Sequence, residues 1–166
     1  GDGMGAFAAG KGKVALVRNH ELNIRDARFG PFTGKVADDF ATYDRGKDGM
    51  PLPGGTTTLI YDLKLQKVEK QWLSLSGTLR NCAGGITPWG SWLTCEENVT
   101  RAGDSVGKDH GYIFEVPSSH MGLVAPVPLK AMGRFNHEAA CVDPRTGIVY
   151  LTEDRDDSLL YRFLPD

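Results

Sequence analysis

The sequence predicts an all-β fold of antiparallel meanders, of the kind that build a β-propeller, and three observations carry that reading. Twenty-one glycines and nine prolines break the chain so often that no window keeps an apolar stripe of helical period over the ~10 to 12 residues a helix usually needs. Runs rich in Val, Ile, Thr and aromatic residues recur at strand length. Short polar turns join several consecutive runs, which makes neighbouring strands antiparallel.

Eight strands are expected in order: residues 13–18, 56–62, 67–75, 91–95, 111–116, 139–142, 148–152 and 159–163. The second and third are linked by Asp62-Leu63-Lys64-Leu65-Gln66. The last three form a meander through Asp143-Pro144-Arg145-Thr146-Gly147, where Pro presets φ and Gly supplies a positive one, and through the polar turn at 154–158. Sequential meanders of four strands are propeller blades, although sandwiches and up-and-down barrels use them too. Eight strands amount to about two blades, so residues 1–166 are expected to form part of one propeller domain, its N-terminal portion, with further blades absent. The stretches 23–53 and 98–109, Gly-containing and polar, read as surface loops.

Composition excludes several classes. The 40% hydrophobic content is too high for disorder, and 21 acidic against 19 basic residues, interspersed, give a net charge of −2 with no basic stripe, so nucleic acid is not expected as a partner. No apolar run approaches the ~20 residues of a membrane span. No protein partner can be inferred. The sequence opens without Met or a charged-then-apolar leader, so an upstream segment is expected to have been removed or to lie outside it. Cys82, Cys95 and Cys141 are odd in number and widely spaced, with no C-x-x-C pair, which argues against a disulfide framework and a structural zinc site.

Chemistry gathers where strands meet acids. Apolar runs lead directly into Glu21, into Glu96-Glu97 and into Glu153-Asp154, while Glu138 opens a strand. If these strand ends share one side, their carboxylates repel unless cations sit between them, and hard oxygen donors in that number suit calcium, magnesium or ferric iron. Asn-His-Glu occurs twice, at 19–21 and 136–138, so each His reads either as a partner orienting its Glu or as a packed residue. Cys82 stands in the Gly-rich segment Arg80-Asn81-Cys82-Ala83-Gly84-Gly85, read as a loop, where a thiolate among carboxylates would favour a transition metal such as iron. Cys95 and Cys141, inside apolar strands, read as packing residues.

At these residues the chain resembles the PhoX family of bacterial alkaline phosphatases. The likeness rests on Arg18-Asn19-His20-Glu21-Leu22, Gly54-Gly55-Thr56-Thr57-Thr58, the Cys82 segment with Thr87-Pro88-Trp89-Gly90-Ser91-Trp92, Cys95-Glu96-Glu97, residues 110–116 and 132–139, Thr152-Glu153-Asp154 and residues 161–165. The resemblance implies a β-propeller phosphomonoesterase that releases phosphate from small-molecule phosphate esters with ferric iron and calcium. It also implies twin-arginine export to the periplasm or beyond. Carried over, Cys82 is the iron-binding thiolate, Glu21, Glu97, Glu138 and Glu153 are metal ligands, and Asn19, Arg80 and Arg134 hold the phosphate. No catalytic side-chain nucleophile is expected, in keeping with the lack of a G-x-S-x-G elbow or Walker loop. Which of Glu96 and Glu97 faces the metals stays open. Family members are several times longer, so this segment alone is expected to be a poor phosphatase. Two alternatives are a calcium-stiffened binding or structural module and a metal-dependent lactonase or phosphotriesterase.

Overall fold

The structure, a computed structural model, describes residues 1–32, 34–103 and 105–165. Thr33 and Asp104, which fall in the two expected loops, and the terminal Asp166 lie outside the described residues. Among the described residues ten strands make three antiparallel meander sheets. The first contains β1 (Met4–Ala8), β2 (Lys13–His20), β3 (Gly54–Asp62) and β4 (Lys67–Thr78), in that order. The second contains β5 (Asn81–Ile86), β6 (Ser91–Glu96) and β7 (Ile113–Pro117), and the third β8 (His137–Val142), β9 (Val149–Glu153) and β10 (Leu160–Phe163). The fold is therefore all-β, in the sequential sheets from which propeller blades are made. Among the described residues no helix is long and apolar enough to cross a membrane.

The expected turns form for the expected reasons. Asp62 Oδ1 accepts the amides of Lys64 and Leu65, closing the β3–β4 hairpin. Asp143 accepts from the Arg145 amide and the Thr146 hydroxyl, and Gly147, at φ +73°, completes the β8–β9 turn.

The second sheet lies between the other two, and strand alternation decides which side each residue faces. Trp92, Phe114 and Val116 pack with Val17 and Leu75 of the first sheet. Leu93, Cys95 and Ile113 pack with Val142, Val149 and Leu151 of the third. Every residue of β6 is buried as a result. Each fully buried Leu, Ile or Phe in these clusters contributes about 1.5–3 kcal/mol relative to exposure.

Three expectations are corrected. Strands β1 and β5 were not foreseen, and their addition turns about two meanders into three. Both are rich in Gly and Ala, so their β-structure comes from pairing with β2 and β6 and not from side-chain propensity. The segment 23–53 is more than a surface loop, for it holds a short 3₁₀ helix (Ile24–Phe29) and buries Tyr43, Asp44 and Leu52. Cys141 is exposed and stands outside the core cluster, since its place in β8 points away from the core that Ala140 and Val142 enter.

Candidate metal centre

The fold brings the ends of β2, β6 and β9 together with the starts of β5 and β8, and most of the expected site residues stand there. Cys82 is in β5, not in a loop, at a bulge: Asn81 pairs with Glu96 and Gly84 with Thr94, so Cys82 and Ala83 are left without partners on β6. The two glycines that follow are required by close approach. A Cβ on Gly84 would collide with the Leu93 carbonyl, and one on Gly85 with the Ala140 carbonyl.

From this bulge the Cys82 thiol donates to Glu138 Oε2 at 3.0 Å. Cys82, Glu97 and Glu138 each offer a ligand atom, and the three atoms lie within 4.8 Å of one another. Burial, reinforced by Glu138, pushes the Cys82 thiol well above its ordinary value. Burial also raises Glu97, with Glu138 and Asp154 adding to the shift and Arg80 opposing it. The donor set is one soft thiol and two carboxylates, each of which is unfavourable as a bare anion beside the others.

Arg80 borders the cluster. Its Nε lies 3.2 Å from Glu21 Oε1 and its Nη2 3.2 Å from Glu97 Oε2, so Glu21 is joined to the cluster through a guanidinium. Arg80 takes a left-handed backbone (φ +47°), while its amide donates to the Leu22 carbonyl and its carbonyl accepts from the Glu97 amide. Burial and a hydrogen bond with Asp2 raise Glu21. Asp2, unmarked in sequence, thus stands at the same edge.

The remaining candidates are not members of the cluster. Glu153 accepts from the Tyr161 hydroxyl at 3.0 Å and is not part of the Cys82 cluster. Asn19 is fully buried, and its amide is used in full by Cys82, Ala83, Trp92 and Thr94, so it cannot meet a phosphate. Arg134 donates from Nη2 to the carbonyls of Val99 and Thr100. The repeated histidines are packed residues: His20 Nε2 bonds Thr57 Oγ1, His137 Nε2 bonds the Gly133 carbonyl, and both Nδ1 atoms are buried without a partner.

Glu96 and Glu97 separate cleanly. Glu97 faces the cluster, whereas Glu96 is wholly buried on the other side and accepts from the amides of Leu79, Gly111 and Tyr112 and from His110 at 2.7 Å. His110 Nε2 lies 3.2 Å from Asp44 Oδ2, which makes a buried Glu96–His110–Asp44 chain. Burial alone would depress His110, but the carboxylates of Glu96 and Asp44 outweigh it and hold the imidazole above its ordinary value. Nothing local in the sequence marks this chain, because its members are 66 residues apart at the extremes.

Comparison with known proteins bears on this arrangement. The family model described as alkaline phosphatase PhoX matches residues 48–166, more than two thirds of the chain. No curated protein matches the sequence. Among solved structures, Pseudomonas fluorescens PhoX in complex with vanadate, a transition-state analogue, is similar in fold, with a TM-score of 0.60 at 20% identity. The match covers 97% of this chain and 40% of that one, so the chain spans well under half the length of its structural relative.

Proposed function

Because the chain belongs to the PhoX alkaline phosphatase family, we propose that it contributes the metal-binding core of a metal-dependent phosphomonoesterase releasing inorganic phosphate from phosphate esters. The observation that carries the proposal is the convergence of Cys82, Glu97 and Glu138 within 4.8 Å. One thiolate with carboxylates fits ferric iron better than calcium, while all-oxygen positions fit calcium. Cys82, Glu97 and Glu138 would hold the iron, and Glu21, at the far side of Arg80, would serve a neighbouring calcium. Glu153 is left out of the set because its carboxylate is not among the ligand atoms that converge with Cys82 Sγ.

Bound metal supplies charge neutralisation for a phosphate dianion and a nucleophile available at ordinary pH, so no side chain needs to attack. The protein's own part is binding and orientation. Arg80, with 38% of its side chain exposed, is the cation best placed to receive a phosphate, because its planar fork can leave the two carboxylates for two phosphate oxygens. Its left-handed backbone, tied to Leu22 and Glu97, fixes where that fork points.

The test is a comparison of substrates by the full-length protein. A phosphomonoester should be hydrolysed in preference to a lactone and a phosphotriester, with activity lost on chelation and regained with iron and calcium together. Hydrolysis of the lactone or triester alone, or monoesterase activity that survives complete chelation, would contradict the proposal. A structural-calcium module would bind calcium without iron and turn over none of the three.

A further inference from the structure

The bulge that carries Cys82 creates a problem that the structure solves with side chains. Because Cys82 and Ala83 have no partners on β6, their carbonyls lack ladder hydrogen bonds inside a buried region, where an unpaired carbonyl is costly. Asn19 Nδ2 fills both vacancies, donating to Cys82 O at 3.0 Å and Ala83 O at 2.8 Å. The Gly3 amide adds a second bond to Cys82 O at 2.7 Å.

The orientation of Asn19 is itself dictated. Trp92 Nε1 can only donate, and it points at Asn19 Oδ1 from 2.9 Å, so the Asn19 NH₂ must face the two carbonyls. Thr94 Oγ1 gives its single proton to the same Oδ1 at 2.8 Å and so meets Asn81 Nδ2, 3.0 Å away, as an acceptor. Asn81 Oδ1 then faces two donors, the Gly55 amide at 2.9 Å and the Thr78 hydroxyl. Each of these bonds sets a donor against an acceptor. Asn19, Asn81, Thr78 and Thr94 are each fully buried, and the chain of bonds ties β2, β3, β4, β5 and β6 together around the bulge.

The geometry points to the Asn19–Thr94–Asn81 relay as the positioning device for the Cys82 thiol: it holds the bulge in the one shape that aims Sγ at Glu138. Thr94 is its pivot, since its hydroxyl both donates to Asn19 and accepts from Asn81. Its importance for iron rests on the ligand role proposed for Cys82, but its effect on the thiol does not.

The test uses the full-length protein with Thr94→Val, which keeps shape and removes the hydroxyl, and Thr94→Ser, which restores it. In the metal-free protein, alkylation by iodoacetamide is followed residue by residue by mass spectrometry, with the fully buried Cys95 as internal reference. Thr94→Val is expected to raise the rate at Cys82 at least fivefold relative to Cys95, and Thr94→Ser to return it to within twofold of wild type. General loosening would raise both cysteines together, and that outcome would overturn the proposal, as would an unchanged ratio in folded Thr94→Val. If Thr94→Val does not fold, Trp92→Phe, which deletes the donor that orients Asn19 together with part of the ring volume, is held to the same criterion. In the iron-loaded protein Thr94→Val, or Trp92→Phe in its place, should weaken iron binding by about ten- to a hundredfold, and Thr94→Ser should restore it. A changed alkylation ratio with unchanged iron affinity would leave the positioning of Cys82 standing and refute its role as a ligand.

Discussion

Adjacent residues of one type can carry opposite tasks, and burial is what sorts them. Glu96 is a closed structural group, saturated by three amides and His110, whereas Glu97 shares its space with Cys82 and Glu138. Glu96→Gln should therefore destabilise the fold by about 3–5 kcal/mol, the cost of breaking a buried charged pair, as read by denaturant unfolding. Glu97→Gln should leave stability nearly unchanged and weaken metal binding, as read by titration with iron. His110 gives a pH prediction whose sign follows from its raised value. A raised group stabilises fully below its unfolded value, near 6.5, and loses that contribution as pH rises through the folded one. His20 and His137 do the reverse: burial holds both at about 4, so their contribution is lost as pH falls from 6.5 towards 4. In the metal-free protein His110→Gln should flatten the alkaline loss of stability and leave the acid limb as it was. The sequence showed that Asn-His-Glu was repeated, but packing alone reveals that His137 is buried and His20 half-buried, and that both titrate well below the ordinary range. For the cysteines the outcome divides as well. Cys95→Ser, buried, should cost about 1–3 kcal/mol, and Cys141→Ser, exposed, less than about 0.5 kcal/mol.

Strand β5 shows most plainly what an element hides from sequence reading. Asn81-Cys82-Ala83-Gly84-Gly85-Ile86 has the composition of a loop, and it pairs because its glycines admit neighbouring backbone where any side chain would collide. The bulge within it is likewise invisible in composition, since it is defined by the register against β6. By contrast β6, β8 and β9, with their alternating apolar residues and sharp turns, were legible, and so were the acids at their ends. Gly85→Ala tests the element directly. The added methyl would meet the Ala140 carbonyl and push β5 from β8, with a stability loss of about 1–3 kcal/mol by denaturant unfolding and weaker metal binding.

The molecule as a whole is three meanders with the second sheet buried between the others, and that stacking brings residues 21, 82, 97 and 138 to one region. The all-β class and the antiparallel order were readable from turns and periodicity. The strand–acid junctions pointed to this region, whereas the partners of Glu153 and Arg134, the Tyr161 hydroxyl and the Val99 carbonyl, are supplied by tertiary structure alone. The central claim is that Cys82, presented by the β5 bulge, binds iron together with Glu97 and Glu138. Its most direct test is the iron content and visible spectrum of the full-length protein with Cys82→Ser. A thiolate bound to ferric iron absorbs visible light, and a hydroxyl is a far poorer ligand, so the account predicts that the variant folds, loses the band and most of its iron, and loses phosphatase activity with them. A folded Cys82→Ser protein that keeps its iron, its visible band and its activity would contradict it.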